Sequence, residues 1–117
     1  MPEFMMIIAD DEAAREGIPP EEFGASYAKV GEWWSELERQ GRMVPGAGRR
    51  LQPVRTARTV RVGNGKAAVT DGPFAETKEA MGGFGILTVP DIQAALDIVR
   101  SWPGLPVAIE LRPVMEG

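Results

Sequence analysis

Three ionisable side chains in one short segment could carry acid–base chemistry. Asp71 opens this segment, and Glu76 and Lys78 follow it closely. A carboxylate can act as a general base, and an ammonium group beside it can stabilise developing anionic charge. We therefore predict that Asp71 is a catalytic general base and that Glu76 and Lys78 help to bind a ligand.

The same segment also has a purely structural interpretation. The Asp-Gly-Pro sequence at 71–73 is favourable turn chemistry, because aspartate accepts backbone amide hydrogens and proline restricts φ. Phe74 would then anchor the turn in the core, whereas at a ligand site it would contact the ligand. The two glycines at 82 and 83 favour the ligand site, since they let a charged lid lie close to a cleft. Both interpretations stay open.

Two further charged residues lie on the last predicted strand, which runs from about Val107 to Met115. Side chains alternate between the two faces of a strand, so one face is apolar and the other carries Glu110 and Arg112. We predict that both residues bind the ligand, with Arg112 as an alternative to Lys78 for stabilising anionic charge. The alternative is an ion pair between Glu110 and Arg112 that stabilises an interface.

The residue types that are missing exclude several kinds of chemistry. The sequence contains no cysteine and no histidine, which rules out disulfides, thiolate nucleophiles and histidine general bases. No acidic run has the spacing of a calcium loop, so we predict no metal. Gly63-Asn64-Gly65 is expected in a hairpin and not between a strand and a helix, so we predict no nucleotide or other cofactor.

Charge and hydropathy indicate where the protein works. A net charge of −4 gives no reason to expect binding to nucleic acid, which depends on neutralising phosphates. The first apolar run, Phe4–Ala9, is too short to cross a membrane and lacks the basic flank of a signal peptide. We therefore expect a cytoplasmic protein without membrane contact. One basic cluster is either a charged strand edge or an anion site; its members are Arg49, Arg50, Arg55, Arg58 and Arg61.

The periodicity of apolar residues predicts two helices and several strands. The first helix begins at Pro19-Pro20 and ends near Gly41, with one apolar stripe formed by Phe23, Tyr27, Val30, Trp34 and Leu37. Asp91 is the predicted N-cap of the second. Strands are expected at Phe4–Ala9, Thr56–Val62, Lys66–Thr70 and Phe84–Val89, with a loop over residues 71–83.

This order, β-α-β-β-β-α-β, predicts one α+β domain over residues 1–117. It corresponds to a ferredoxin-like split βαβ arrangement with an added β-hairpin, in which two helices cover one face of an antiparallel sheet. The other face would be left bare. Two copies that pack these faces together would form a dimeric α+β barrel, so we predict a homodimer.

Residues 69–84 read Val-Thr-Asp-Gly-Pro-Phe-Ala-Glu-Thr-Lys-Glu-Ala-Met-Gly-Gly-Phe and resemble the signature of the DGPF-domain branch of the YCII-related family. The opening strand, Leu51-Gln52-Pro53 and the final strand are also similar. The resemblance implies a ferredoxin-like subunit that dimerises, with a ligand site near the DGPF loop. Some relatives are suspected enzymes with a His–Asp pair, a pattern that this chain lacks, and some are neighbours of extracytoplasmic-function sigma factors.

Three hypotheses about function follow. The first is a protein that binds an unidentified small molecule, with a carboxylate as general base if it is an enzyme. The second is a non-catalytic regulatory or partner-binding module, with the link to a sigma factor that the resemblance implies. The third is a domain that has lost its activity. A deep polar-mouthed cavity favours the first, and a filled interior with a large exposed apolar patch favours the second.

Overall fold

The structure is a computed structural model that describes residues 1–73 and 78–116. Three helices are present in this part of the chain: α1 (Glu12–Arg15), α2 (Pro20–Arg39) and α3 (Ile92–Val99). Its strands are β1 (Glu3–Asp10), β2 (Arg49–Arg50), β3 (Arg58–Gly63), β4 (Lys66–Asp71), β5 (Ala80–Thr88) and β6 (Ala108–Pro113). A single 3₁₀ turn, Val54–Thr56, precedes β3.

Four of the strands form one antiparallel sheet in the order β2-β5-β1-β6. This arrangement confirms the predicted α+β class and is compatible with a ferredoxin-like fold. The edge position next to β5 is taken by Arg49–Arg50, a strand that the sequence did not predict. The predicted loop over 71–83 extends too far, because β5 already begins at Ala80. Ala80 and Met81 pair with Asp10 and Ala9 of β1.

The predicted hairpin is confirmed, but it stands apart from the main sheet. β3 and β4 form a two-stranded sheet of their own, with Val60 opposite Val69 and Val62 opposite Ala67. The turn between them places Asn64 and Gly65 at φ of 51° and 73°, the left-handed region that these two residue types tolerate best.

Both long helices cover the same face of the main sheet. Buried residues alternate along β1, and they meet Leu37 of α2 and Ile98 of α3 in one hydrophobic core; the β1 residues are Phe4, Met6 and Ile8. Met6 is fully buried there, so it does not belong to the bare face. That face, which we call the open sheet face, carries Met5 and Ile7 of β1 opposite Ile86 and Phe84 of β5.

The ends of the helices follow the sequence signals. Asp91 accepts a hydrogen bond from the backbone amide of Ala94 at 2.9 Å, which confirms it as the N-cap of α3. Pro20 begins α2, and Gly41 lies just beyond its end at φ 72°. The short helix α1 was not predicted. Asp11 caps it by accepting from the amide of Ala14 at 3.2 Å.

Trp34 joins the C-terminal half of α2 to the sheet through direct contact with glycine backbone. A Cβ atom on Gly85 would lie 2.6 Å from Cη2 of Trp34, and one on Gly48 would lie 2.2 Å from its Cζ2. At distances this short, a side chain at either position would force the indole ring to shift. The indole ring therefore occupies the space that side chains on β5 and in the chain before β2 would otherwise fill.

We expect Gly85→Ala to destabilise the fold by about 1–3 kcal/mol, because the new methyl group must displace the Trp34 ring in a packed region. Gly24→Ala is the matched control, since nothing lies within 4 Å of its added Cβ on α2. The control should stabilise by about 0.5–1 kcal/mol through helix propensity. Urea unfolding of both variants measures the difference. An unchanged midpoint for Gly85→Ala would contradict the packing described here.

Candidate functional site

A cleft lies between residues 26–34 of α2 and the sheet, and we call it the α2 cleft. Its roof is formed by Tyr27 and Val30, its floor by Ile8 and Gly83, and Leu105 closes one end. Its volume is about 310 Å³. Most of this lining is apolar, so the cleft can surround the hydrocarbon body of a small molecule.

The cleft exists because the two halves of α2 meet the sheet differently. The C-terminal half packs closely through Trp34 and the buried Leu37. The N-terminal half lies over Gly82 and Gly83, which have no side chains to fill the space beneath Tyr27. Phe23 stacks on Tyr27 with ring centroids 5.9 Å apart, so the aromatic residues of this half partly pack on each other.

The loop after α3 holds the far end of the cleft in place. The amide of Leu105 donates to Oγ of Ser26 at 2.9 Å, which ties this loop to α2. The indole of Trp102 donates to the carbonyl of Leu105 at 2.9 Å. Gly104 permits this contact, because a Cβ there would lie 2.6 Å from Val30. The wall is therefore built from several mutually dependent contacts.

Asp10 lies at the edge of the cleft, at the end of β1. The register of β1 and β5 shifts between Ile8 and Ala9, so that Gly82 is an extra residue in β5. Bulges of this kind redirect side chains and are frequent next to functional sites. A Cβ on Gly82 would lie 3.2 Å from Oδ2 of Asp10. Glycine at this position thus leaves room for the carboxylate.

The carboxylate of Asp10 is held in a partly buried position, with 21% of its side chain exposed. Burial raises the pKa of Asp10 above its ordinary value, and the neighbouring carboxylates of Glu12 and Asp11 raise it further. The positive charges of Arg15 and Arg50 oppose this rise. A carboxyl group with a raised pKa is suited to exchange a proton with a bound molecule.

Arg15 is the ion-pair partner of Asp10 and makes further contacts of its own. Its Nε lies 3.7 Å from Oδ2 of Asp10, and its Nη2 donates to the carbonyl of Pro106 at 2.7 Å. The guanidinium also lies 6.0 Å from the ring centroid of Phe23. The short helix α1 positions it, since Arg15 is the last residue of that helix.

Arg50 provides a second cation at the cleft. Arg50 pairs with Gly83 in the sheet, which turns its side chain toward α2. There its guanidinium carbon lies 4.0 Å from the ring centroid of Tyr27, within the range of a cation–π contact. Within residues 1–73 and 78–116, no hydrogen bond uses its guanidinium donors.

The site residues predicted from the sequence lie in other places. Asp71, 90% exposed, pairs with Arg58 of the neighbouring strand at 3.1 Å. Nζ of Lys78 lies 3.9 Å from Asp11, and Arg112 donates to Glu110 at 2.5 Å. These are three separate ion pairs. Phe74 and Glu76 lie outside the described residues, so their roles stay predictions.

Among the predicted site residues that the structure describes, Lys78 comes nearest to the α2 cleft. It lines a neighbouring groove together with Asp10 and Arg15. Glu110 and Arg112 belong to the open sheet face, because they lie opposite Ile7 and Met5 of β1. Their mutual ion pair agrees with the structural alternative considered for them above.

Sequence reasoning missed the residues that meet at the cleft. The predicted strand Phe4–Ala9 stops just before Asp10, Tyr27 appears in the sequence only as part of an apolar stripe, and Arg50 is one of several arginines in a basic cluster. One signal could have identified Asp10: it directly follows the apolar run Phe4–Ala9, and a charged side chain there must lie where the buried part of the strand ends. Tyr27 and Arg50 meet only through tertiary folding.

Two further observations concern metals and membranes. Among the described residues, no group of three or more Asp or Glu side chains is arranged to hold a metal ion. Across the same residues, no helix combines the length and the apolar character needed to span a bilayer.

Comparison with known proteins identifies the family. Residues 3–116 match the model of the YCII-related domain. The chain belongs to the YCII-related domain family. It is also 45% identical over 51 residues to a protein of Rhizobium meliloti (strain 1021) that is described as uncharacterized. That match covers 44% of this chain and 41% of the Rhizobium protein, so the chain spans less than half of that relative.

The raised pKa of Asp10 predicts a specific pH dependence in this YCII-related domain. The folded chain holds a proton on Asp10 at pH values where the unfolded chain has lost it. The stability that this bound proton contributes is therefore lost as the pH rises through the pKa of Asp10 in the folded chain. As the pH rises, we therefore expect Asp10→Asn to become more stable relative to the wild type. Thermal unfolding of both proteins between about pH 4 and pH 7 measures this difference.

Glu21→Gln, in the first turn of α2, controls for the loss of one negative charge. A stability difference between Asp10→Asn and the wild type that stays constant with pH would contradict the raised pKa. Asparagine keeps the shape of the side chain and an oxygen that can accept from Arg15, which limits other effects of the substitution.

Proposed function

We propose that this protein binds a small organic molecule in the α2 cleft, with Asp10 as the group that accepts or donates a proton. One observation carries the proposal: a cleft of about 310 Å³ with largely apolar walls ends at a partly buried carboxylate. Apolar pockets with a few convergent polar groups are typical of ligand sites. Partial burial of a charged group costs stability, and carboxylates held at such a cost are frequent at functional sites.

The proposal keeps the carboxylate general base expected from the sequence and moves it to a different residue. Asp10 is favoured because it is partly shielded from water and borders an apolar cavity. Asp71 is 90% exposed and is paired with Arg58, so a ligand at Asp71 would have little surface to bury against. A base at Asp71 stays a prediction for the DGPF loop.

A pair of glycines on α2 tests the proposed site. Gly31 lines the cleft and Gly24 does not, and neither has any atom within 4 Å of an added Cβ. Gly31→Leu should place a side chain in the cleft and abolish ligand binding, whereas Gly24→Leu should leave it intact. A thermal-shift screen of small organic molecules should find compounds that raise the unfolding temperature of the wild type and Gly24→Leu only.

Compounds that stabilise Gly31→Leu as strongly as the wild type would show that binding occurs elsewhere and would refute the α2 cleft as the site. A screen in which no compound raises the unfolding temperature of the wild type would count against the small-molecule proposal itself.

We also propose that the chain belongs to the DGPF branch of the family and forms a homodimeric α+β barrel. The signature at residues 69–84 supports the branch. The open sheet face supports the dimer, because Met5, Ile7, Phe84 and Ile86 are only partly buried there. Covering apolar surface contributes on the order of 25 cal/mol per Å² before the losses of association.

Ile7→Lys should convert this dimer into a monomer, because Ile7 lies between Phe84 and Glu110 at the centre of the open sheet face. Light scattering at micromolar concentration should give about twice the chain mass for the wild type and the chain mass for the variant. Ala28→Lys, on the exposed surface of α2, should remain dimeric. A wild-type chain that is folded and monomeric would refute the dimer.

A second candidate function is binding of a protein partner, and the β3–β4 hairpin favours it. Val60, Val62 and Val69 share one face of this hairpin and are 52%, 74% and 65% exposed. An isolated two-stranded sheet is marginally stable in water, so a partner on this face would stabilise it. A regulatory partner such as a sigma factor is the identity that the family resemblance suggests.

A further inference from the structure

We propose that the ligand of the α2 cleft is an organic carboxylate with an apolar, preferably aromatic, body, and that Arg50 binds its carboxylate group. This inference rests on the proposed small-molecule function and deepens it. It is carried by three observations: the contact of Arg50 with Tyr27, the guanidinium donors of Arg50 that no hydrogen bond among residues 1–73 and 78–116 uses, and the composition of the cleft walls.

The charges around the cleft favour an anionic ligand. The charged residues that line the cleft are Asp10, Arg15, Arg49 and Arg50, so its walls carry more positive than negative charge. Arg15 is already bound to Asp10 and to the carbonyl of Pro106. Arg49 donates to the carbonyls of Gly46 and Gly48. Within the described part of the chain, no hydrogen bond uses the guanidinium donors of Arg50. An anion would therefore bind at Arg50.

The ring of Tyr27 holds the guanidinium of Arg50 in a position suited to binding a planar anion. With its carbon 4.0 Å from the ring centroid, the guanidinium has a platform that limits its motion. Such an arginine can donate two parallel hydrogen bonds to a carboxylate. A phosphate dianion would require further donors, and the nearby Arg15 is engaged in other contacts. A carboxylate is thus the better match.

The remaining walls define the rest of the ligand. Val30, Trp34 and Leu105 present apolar surface on the inner side of the cleft. An apolar cavity of about 150 Å³ is enough to hold benzene. The volume of about 310 Å³ therefore accommodates an aromatic ring with a short side chain. With the carboxylate at Arg50, the atoms next to it would lie beside Asp10.

Matched acids and amides test this ligand class without any substitution. The probes are benzoate, phenylacetate and hexanoate, each compared with its neutral amide by isothermal titration calorimetry. We expect at least one acid to bind the wild-type protein and its amide to bind about 10- to 100-fold more weakly, because the amide lacks the charge that Arg50 recognises.

Variants of Arg50 then assign the interaction. Arg50→Gln should weaken binding of the acid by about 10- to 100-fold, and Arg50→Lys should weaken it less, since lysine keeps the charge but not the two parallel donors. Arg58→Gln removes one positive charge from the hairpin and should leave the affinity unchanged. Unfolding temperatures close to that of the wild type confirm that each variant is folded.

The outcomes separate this inference from the proposal on which it rests. If amides bind as tightly as acids and Gly31→Leu still abolishes binding, the ligand class is refuted and the cleft remains the binding site. The ligand class is also refuted if the acids do not bind while other compounds from the screen bind in a Gly31-dependent manner. If no probe and no screened compound binds, both proposals are refuted.

Discussion

The close contact between Trp34 and the glycine backbone of the sheet is the constraint on which the rest of this structure depends. Glycine at 48 and 85 is required because any Cβ would overlap the indole ring. The contact joins the C-terminal half of α2 to β5 beside the buried Leu37 and Leu87. Since α2 is a continuous helix, anchoring this half also determines where its N-terminal half lies above the sheet.

The α2 cleft is a consequence of that anchoring together with a second glycine pair. Gly82 and Gly83 lie beneath the N-terminal half of the helix and leave space where side chains would have filled it. The bulge at Gly82 gives Asp10 room at the edge of this space. A well-packed core would have excluded a partly buried carboxylate, so the burial of Asp10 lowers the stability of the fold. Local losses of stability of this kind are concentrated at functional sites.

The sequence allowed the elements to be predicted but not their meeting points. Helix α2, the Asn64-Gly65 turn and the Asp91 cap depend on residues close together in the chain, where periodicity and local backbone preferences decide the outcome. The pairing of β2 with β5 could not be predicted, because two arginines have no strand signal and the pairing depends on the distant glycine at 83. Tyr27 and Arg50 likewise meet only because α2 crosses this edge of the sheet.

The two faces of the main sheet carry separate groups of charged side chains. The helix-covered face contains the cleft with Asp10, Arg15 and Arg50, and the open sheet face carries the Glu110–Arg112 ion pair among apolar residues. A strand alternates its side chains, so Ile8 contributes to the floor of the cleft while its neighbour Ile7 points to the open face. Association through the open face would therefore leave the walls of the cleft unchanged. The proposed ligand binding and the proposed dimerisation are therefore physically separable, because they would use opposite sides of the same strand.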